Sequence, residues 1–63
     1  MKDSIELDGR MFDHSHLVAQ RFQISAATVR RWVRRGLLPK PVRLGSNAYY
    51  DRSEVDFRVR RGE

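Results

Sequence analysis

Residues 25–36 read SAATVRRWVRRG, and the spacing of their apolar side chains decides the fold. Ser25 carries a side-chain oxygen able to cap the free N–H groups of a new helix. Gly36 is a natural C-cap, and Arg34 and Arg35 suit the negative end of the helix dipole. The stretch Ser25–Arg35 is therefore predicted as a helix. Successive residues on it rotate by about 100°. With Val29 facing inward, Trp32, Val33 and Gly36 fall within about 60° of it, and Ala27, Arg30, Arg31 and Arg34 fall roughly 100–200° away. One face is core, with Trp32 packing inward. The opposite face shows three guanidiniums and a small residue that permits close approach. Such a rod fits a major groove, where arginines reach bases or phosphates and Ala26, Ala27 or Thr28 meets a thymine methyl.

N-terminal to this helix, DHSHLVAQRF (residues 13–22) predicts a first helix, capped by Asp13 or His14. Leu17, Val18, Ala19 and Phe22 lie near one face. Gln23 and Ile24 break the pattern. Two short helices joined by a turn of three or four residues, the second basic on its outer face, describe a helix-turn-helix. Ala19 sits where the helices cross closely, and Val18, Phe22, Ile24, Val29 and Trp32 supply the apolar positions around the crossing. Many such turns hold glycine. Gln23 stands there instead, at about 1 kcal/mol if it must turn left-handed. Residues 1–10, MKDSIELDGR, read as a flexible or weakly extended lead-in to a domain covering residues 11–63, with a short strand near residues 10–12.

C-terminal to it, Pro39 and Pro41 bar a helix. Pro41–Leu44 and Ala48–Tyr50 are β-prone runs around Gly45-Ser46-Asn47, which predicts a small hairpin. Tyr49 and Tyr50 read first as core and hairpin packing, with a phosphate contact through one hydroxyl as the less favoured alternative. Asp51 and Glu54 have capping-box spacing for a third helix, with Val55 and Val59 facing inward.

Charge is segregated along the chain. The net charge is +5. Between Asp13 and Asp51 there is no acid, only Arg21, Arg30, Arg31, Arg34, Arg35, Lys40 and Arg43. A field of one sign suits a polyanion, duplex nucleic acid above all. Eleven of the thirteen cations are arginine, a bias that favours planar recognition and that high-GC codon usage produces equally well. There is no cysteine, so neither a disulfide nor a thiolate-bound zinc supports the small core. His14 and His16 do not share a helix face and have no third ligand nearby. No nucleophile–base–carboxylate set or phosphate-cradling glycine loop occurs. The expectation is a protein that is not an enzyme and holds no cofactor or metal. With no run long and apolar enough to cross a bilayer, it is expected in the cytoplasm, associated with the nucleoid of a bacterial host.

The run LVAQRFQISAATVRRWVRRGLLPKPVRLGSNAYYDRSEV resembles the small winged-helix domains of the AlpA-like, phage excisionase and MerR-like superfamily. The matching pieces are Arg35-Gly36-Leu37-Leu38-Pro39, then Pro41-Val42-Arg43-Leu44-Gly45, then Arg52-Ser53-Glu54-Val55. The resemblance implies a small, mainly-α winged helix-turn-helix: three short helices with a β-hairpin wing between helices 2 and 3. It implies double-stranded DNA as partner, read by Ser25, Ala27, Thr28, Arg30, Arg31 and Arg34 on the second helix and by Arg43, Ser46 and Asn47 on the wing. Relatives often carry basic residues near the wing turn, where this chain has Asn47-Ala48-Tyr49-Tyr50.

Two roles fit the resemblance: a recombination directionality factor steering an integrase toward excision, and an AlpA-like transcriptional regulator. No counterpart of the long dimerising helix of MerR regulators is expected from these residues, a reading that favours an architectural or promoter-occluding role over ligand sensing. One module reads few base pairs, so cooperative self-association on repeated sites is expected. A reading of another class uses the same basic face as a protein-interaction module gripping an acidic partner.

Overall fold

Two two-residue turns set the architecture. A computed structural model describes residues 3–61, the side chain of residue 61 excepted. The chain runs β1 (Ser4–Leu7), β2 (Arg10–His14), α1 (Ser15–Phe22), α2 (Ala26–Arg34), β3 (Val42–Leu44), β4 (Asn47–Asp51) and α3 (Arg52–Arg61). Between β1 and β2, Asp8 and Gly9 both take positive φ, 51° and 75°. That pair of left-handed residues is what a type I′ hairpin turn requires. Between β3 and β4, Gly45 alone has positive φ, 63°, as a type II′ turn demands of its first central residue.

The two hairpins join through β2 and β4 into one antiparallel sheet of order β1-β2-β4-β3. Asp13 lies opposite Tyr50 and Ser4 opposite Asp13, while His14 lies opposite Tyr49 and Tyr49 opposite Val42. Directly opposed residues share a face, so Tyr50 and Tyr49 point to opposite sides. Tyr50 joins Val18, Val29, Leu38 and Val55 in the buried core, with Phe22, Ile24, Trp32 and Val59 packed against it. The helices therefore cover the Tyr50 face.

Residues 4–7, expected within a flexible or weakly extended lead-in, form an edge strand, and the mainly-α expectation becomes three helices on a four-stranded sheet. The reason is local: Asp8-Gly9 folds the acidic segment back onto β2. Residues 1, 2, 62 and 63, at the ends of the expected lead-in and domain, lie outside the described residues.

The helix-turn-helix follows the expected pattern, with the cap of α1 settled between its two candidates. His14, not Asp13, caps α1, its Nδ1 accepting from the His16 N–H at 3.0 Å. Asp13 belongs to β2 and is buried. Gln23 adopts the left-handed conformation (φ 56°, ψ 47°) and ends α1. The Ile24 N–H then bonds the Ala19 carbonyl at 2.9 Å, turning the chain into α2. The Phe22 and Trp32 rings meet across the crossing with centroids 6.0 Å apart. Gly36 (φ 79°) closes α2, and the Leu37 N–H bonds back to the Trp32 carbonyl at 2.9 Å. That closure delivers Leu38 to the core, where it is 1% exposed. At α3, Asp51 Oδ1 accepts from the Glu54 N–H at 3.2 Å, the cap that the spacing predicts.

Candidate nucleic-acid interface

The candidate surface is built on α2. Ser25 caps it, its Oγ accepting from the Thr28 N–H at 3.1 Å and lying 3.0 Å from Thr28 Oγ1. This fixes the start of the helix and therefore the direction of each side chain along it. Val29 is buried, Trp32 and Val33 are half-buried, and Ala26, Ala27, Arg30, Arg31 and Arg34 are exposed.

Ion pairing separates these arginines from most of the others. Among the described residues the ion pairs are Arg10–Asp51, Arg21–Asp56, Arg52–Asp13 and Arg58–Glu54. Arg30, Arg31, Arg34, Arg35, Lys40 and Arg43 make none among them. The acids of β2, β4 and α3 neutralise arginines away from α2, and leave the guanidiniums of α2 uncompensated. A positive field is thereby concentrated on one side of the molecule.

The β3–β4 hairpin stands beside α2 and makes a groove with it. Arg30, Val33, Arg34, Pro41, Arg43 and Tyr50 line one part. An adjoining part is bounded by His14, Ser15, Ala26, Arg30, Arg43, Ser46, Asn47, Ala48 and Tyr50. Arg30, Arg34, Arg43, Ser46 and Asn47 are thus brought together. Ser25 and Thr28 sit at the start of α2, with Thr28 half-buried, and Ala27 and Arg31 are exposed outside this groove. Tyr50 forms the groove's floor. Burial pushes its hydroxyl above the ordinary value, against the opposing charges of Arg43 and Arg30. Both tyrosines are buried, Tyr49 at 5% and Tyr50 at 3% exposure, which is the packing reading rather than the alternative of a hydroxyl free for a phosphate.

His14 is a residue that sequence reasoning placed only as a cap. Its Nε2 lies 3.2 Å from Asn47 Oδ1, and its ring meets Tyr49 edge-on at 5.3 Å. Because Nδ1 accepts from His16, the Nε2 proton is the one donated to Asn47. The start of α1 and the hairpin tip are thereby tied by one imidazole. No local signal in the sequence marks this link, since 33 residues separate the partners.

The arrangement is a capped helix with three guanidiniums, unpaired among the described residues, along its outer face, beside a hairpin carrying a further arginine. Residues 18–52, more than half of the chain, match the family model described as MerR family regulatory protein. The chain belongs to the MerR family. The match runs from within α1 through α2 and the β3–β4 hairpin to the first residue of α3, the elements that build the groove. A MerR-family helix-turn-helix binds double-stranded DNA and serves transcription regulation. The search of curated proteins and that of solved structures each returned no match. Among the described residues of this MerR-family domain, no helix is long and apolar enough to cross a membrane, and no group of three His, Cys, Asp or Glu side chains could hold a metal ion.

Proposed function

We propose that this MerR-family domain reads duplex DNA sequence-specifically, with Ser25–Arg35 in the major groove and the β3–β4 hairpin serving as a wing on the adjacent backbone. Arg30, Arg31 and Arg34 reach base edges and phosphates. Ala27 and Thr28 approach the groove floor, and Ser25 offers its hydroxyl to the backbone. Arg43, Ser46 and Asn47 hold the flanking strand. The observation that carries this reading is the uncompensated charge of α2 beside Arg43. The role is that of an AlpA-like or excisionase-like factor of a phage or mobile element. It occupies repeated sites cooperatively, either to regulate a promoter or to direct an integrase toward excision. No chemistry is performed, and the protein works in the cytoplasm at the nucleoid.

Selection from a random duplex pool tests the reading. The parent enriches a defined short sequence, and Arg30→Ala or Arg34→Ala abolishes the preference. If both variants enrich the same sequence as the parent, α2 is not the reading element. An acidic partner protein is the second candidate for this face, because unpaired guanidiniums bind carboxylates as well as phosphates. Failure of the parent to enrich any sequence, together with weak binding to duplex at low salt, selects it.

A further inference from the structure

The charges left over after internal pairing are sorted by position. The carboxylates with no ion pair among the described residues are Asp3, Glu6 and Asp8, all on or beside β1. At the far edge of the sheet, β3 carries Arg43, with Lys40 close by in the chain. The sheet order β1-β2-β4-β3 makes β1 and β3 its two edges. One edge is acidic and the other basic. An edge strand also presents unpaired backbone groups, a ready template for another strand.

We propose that copies of this protein on neighbouring DNA sites join head to tail through the sheet, β1 of one copy pairing antiparallel with β3 of the next. This rests on the DNA-binding reading above and names the surface through which copies cooperate. Strand direction fits. Four strands that are each antiparallel to the next leave the two edges running oppositely, so a copy shifted along the sheet brings its β1 antiparallel to β3.

Register fits as well. The Asp3 carbonyl accepts from the His14 N–H at 2.7 Å, so the alternation of an antiparallel ladder turns the backbone groups of Ser4 and Glu6 outward. On β3, Leu44 closes the two-residue turn opposite Asn47, so Arg43 is the residue turned outward. Setting Glu6 opposite Arg43 of the neighbouring copy makes an ion pair on the helix-covered face. The same register sets Ile5 opposite Leu44, and Leu7 opposite Val42, of that copy on the other face. Val42 and Leu44 are the exposed apolar residues of β3, at 36% and 44%, and this pairing covers them. The Arg43 guanidinium has donors enough for a carboxylate and a phosphate together. Pro41, lacking an N–H, ends the ladder after one outward pair. The contact is therefore short, weak between free molecules, and effective where adjacent sites raise the local concentration. A head-to-tail contact of this kind does not close on itself, so it demands tandem direct repeats rather than palindromes.

The test uses the full chain and duplexes bearing one copy, or two tandem direct copies, of the sequence it selects. The one-copy duplex reports DNA binding alone: no binding there defeats the functional reading and this proposal with it. On the two-copy duplex the second molecule should bind roughly tenfold more tightly than the first, the order that three cross-strand side-chain pairs supply. Glu6→Lys should keep one-copy binding and lose that gain. The chain has no cysteine, so an equal mixture of Ile5→Cys and Leu44→Cys variants should form a mixed disulfide dimer on the two-copy duplex under mild oxidation, and not on the one-copy duplex. Independent filling of two sites by the parent, unchanged cooperativity in Glu6→Lys, or no mixed dimer would each overturn the interface while leaving DNA binding standing.

Discussion

The Arg52 guanidinium grips the buried Asp13 carboxylate through three hydrogen bonds, Nη2 to Oδ1 at 2.7 Å and Nε to Oδ2 and Oδ1 at 3.0 and 3.2 Å. Ser4 Oγ adds a fourth at 2.8 Å. One carboxylate thus joins β1, the end of β2 and the first turn of α3, and sits next to the residue that caps α1. Burial pushes the Asp13 carboxyl up, but the hydrogen bonds from Arg52 and Ser4 and the Arg52 charge outweigh it and hold it below its ordinary value. The bond to Asp13 raises Arg52 in turn.

The pH dependence follows from the sign of that shift. A carboxyl depressed in the folded state stabilises the fold above its unfolded value, and the contribution is lost as pH falls through the folded value. Asp13→Asn should therefore melt below the parent at pH 7. The gap should begin to narrow as pH drops below the ordinary carboxylate value of about 4, and close only at lower pH, where the parent's own carboxyl, held down by Arg52 and Ser4, takes up its proton. Thermal melts of both proteins between pH 7 and pH 2 check this. A gap that stays constant over that range rules out the charged pair as the source of the stability.

Gln23 holds a conformation that glycine adopts without strain. Gln23→Gly should stabilise the domain by about 1 kcal/mol, which raises the melting temperature of a domain this size by about 4–8 °C. The α1–α2 crossing and DNA binding should be unchanged. A lower melting temperature would show that the Gln23 side chain holds the turn.

Leu38 is held in the core by the α2 C-cap. Leu38→Ala should cost about 2–5 kcal/mol. A chain of this length has roughly 3–9 kcal/mol in total, so the substitution removes a large share of it and the variant's melting temperature by circular dichroism should fall far below the parent's. A folded variant with near-parental stability would place the weight of the core elsewhere.

His14 ties the α1 cap to the hairpin tip. His14→Ala should cost about 1 kcal/mol through the lost cap. Amide exchange should rise at His16 and at Asn47 together. Exchange rising at His16 alone would mean that the imidazole does not restrain the hairpin.

Legibility in the sequence follows the range of each interaction. The second helix was readable because Ser25, Gly36 and the Val29–Trp32–Val33 stripe act within a few residues of one another. The left-handed turn at Gln23 and the cap at Asp51 are equally local. The first hairpin also left a local signal, Asp8-Gly9 between Ile5-Glu6-Leu7 and Met11-Phe12. Alternating charges around it make the same segment resemble a solvated lead-in. The links Asp13–Arg52, Arg10–Asp51 and His14–Asn47 span more than thirty residues each. They depend on the finished sheet, and no periodicity encodes them. The exposed face of α2, with Arg30, Arg31 and Arg34, was legible by helical geometry. That they lack internal partners became visible only when the acids were seen to pair elsewhere.

In the proposed complex the exposed guanidiniums of α2 meet DNA phosphates and bases. The most direct measurement is the affinity for a selected duplex across a salt series, for the parent and for Arg30→Ala, Arg31→Ala and Arg34→Ala. The logarithm of the parent's binding constant should fall steeply with the logarithm of salt concentration. Each phosphate-contacting arginine removed should flatten the slope by about 0.9, and a base-reading arginine should cost about 1–3 kcal/mol on its preferred sequence. Variants that keep both the parent's slope and its affinity would contradict the account.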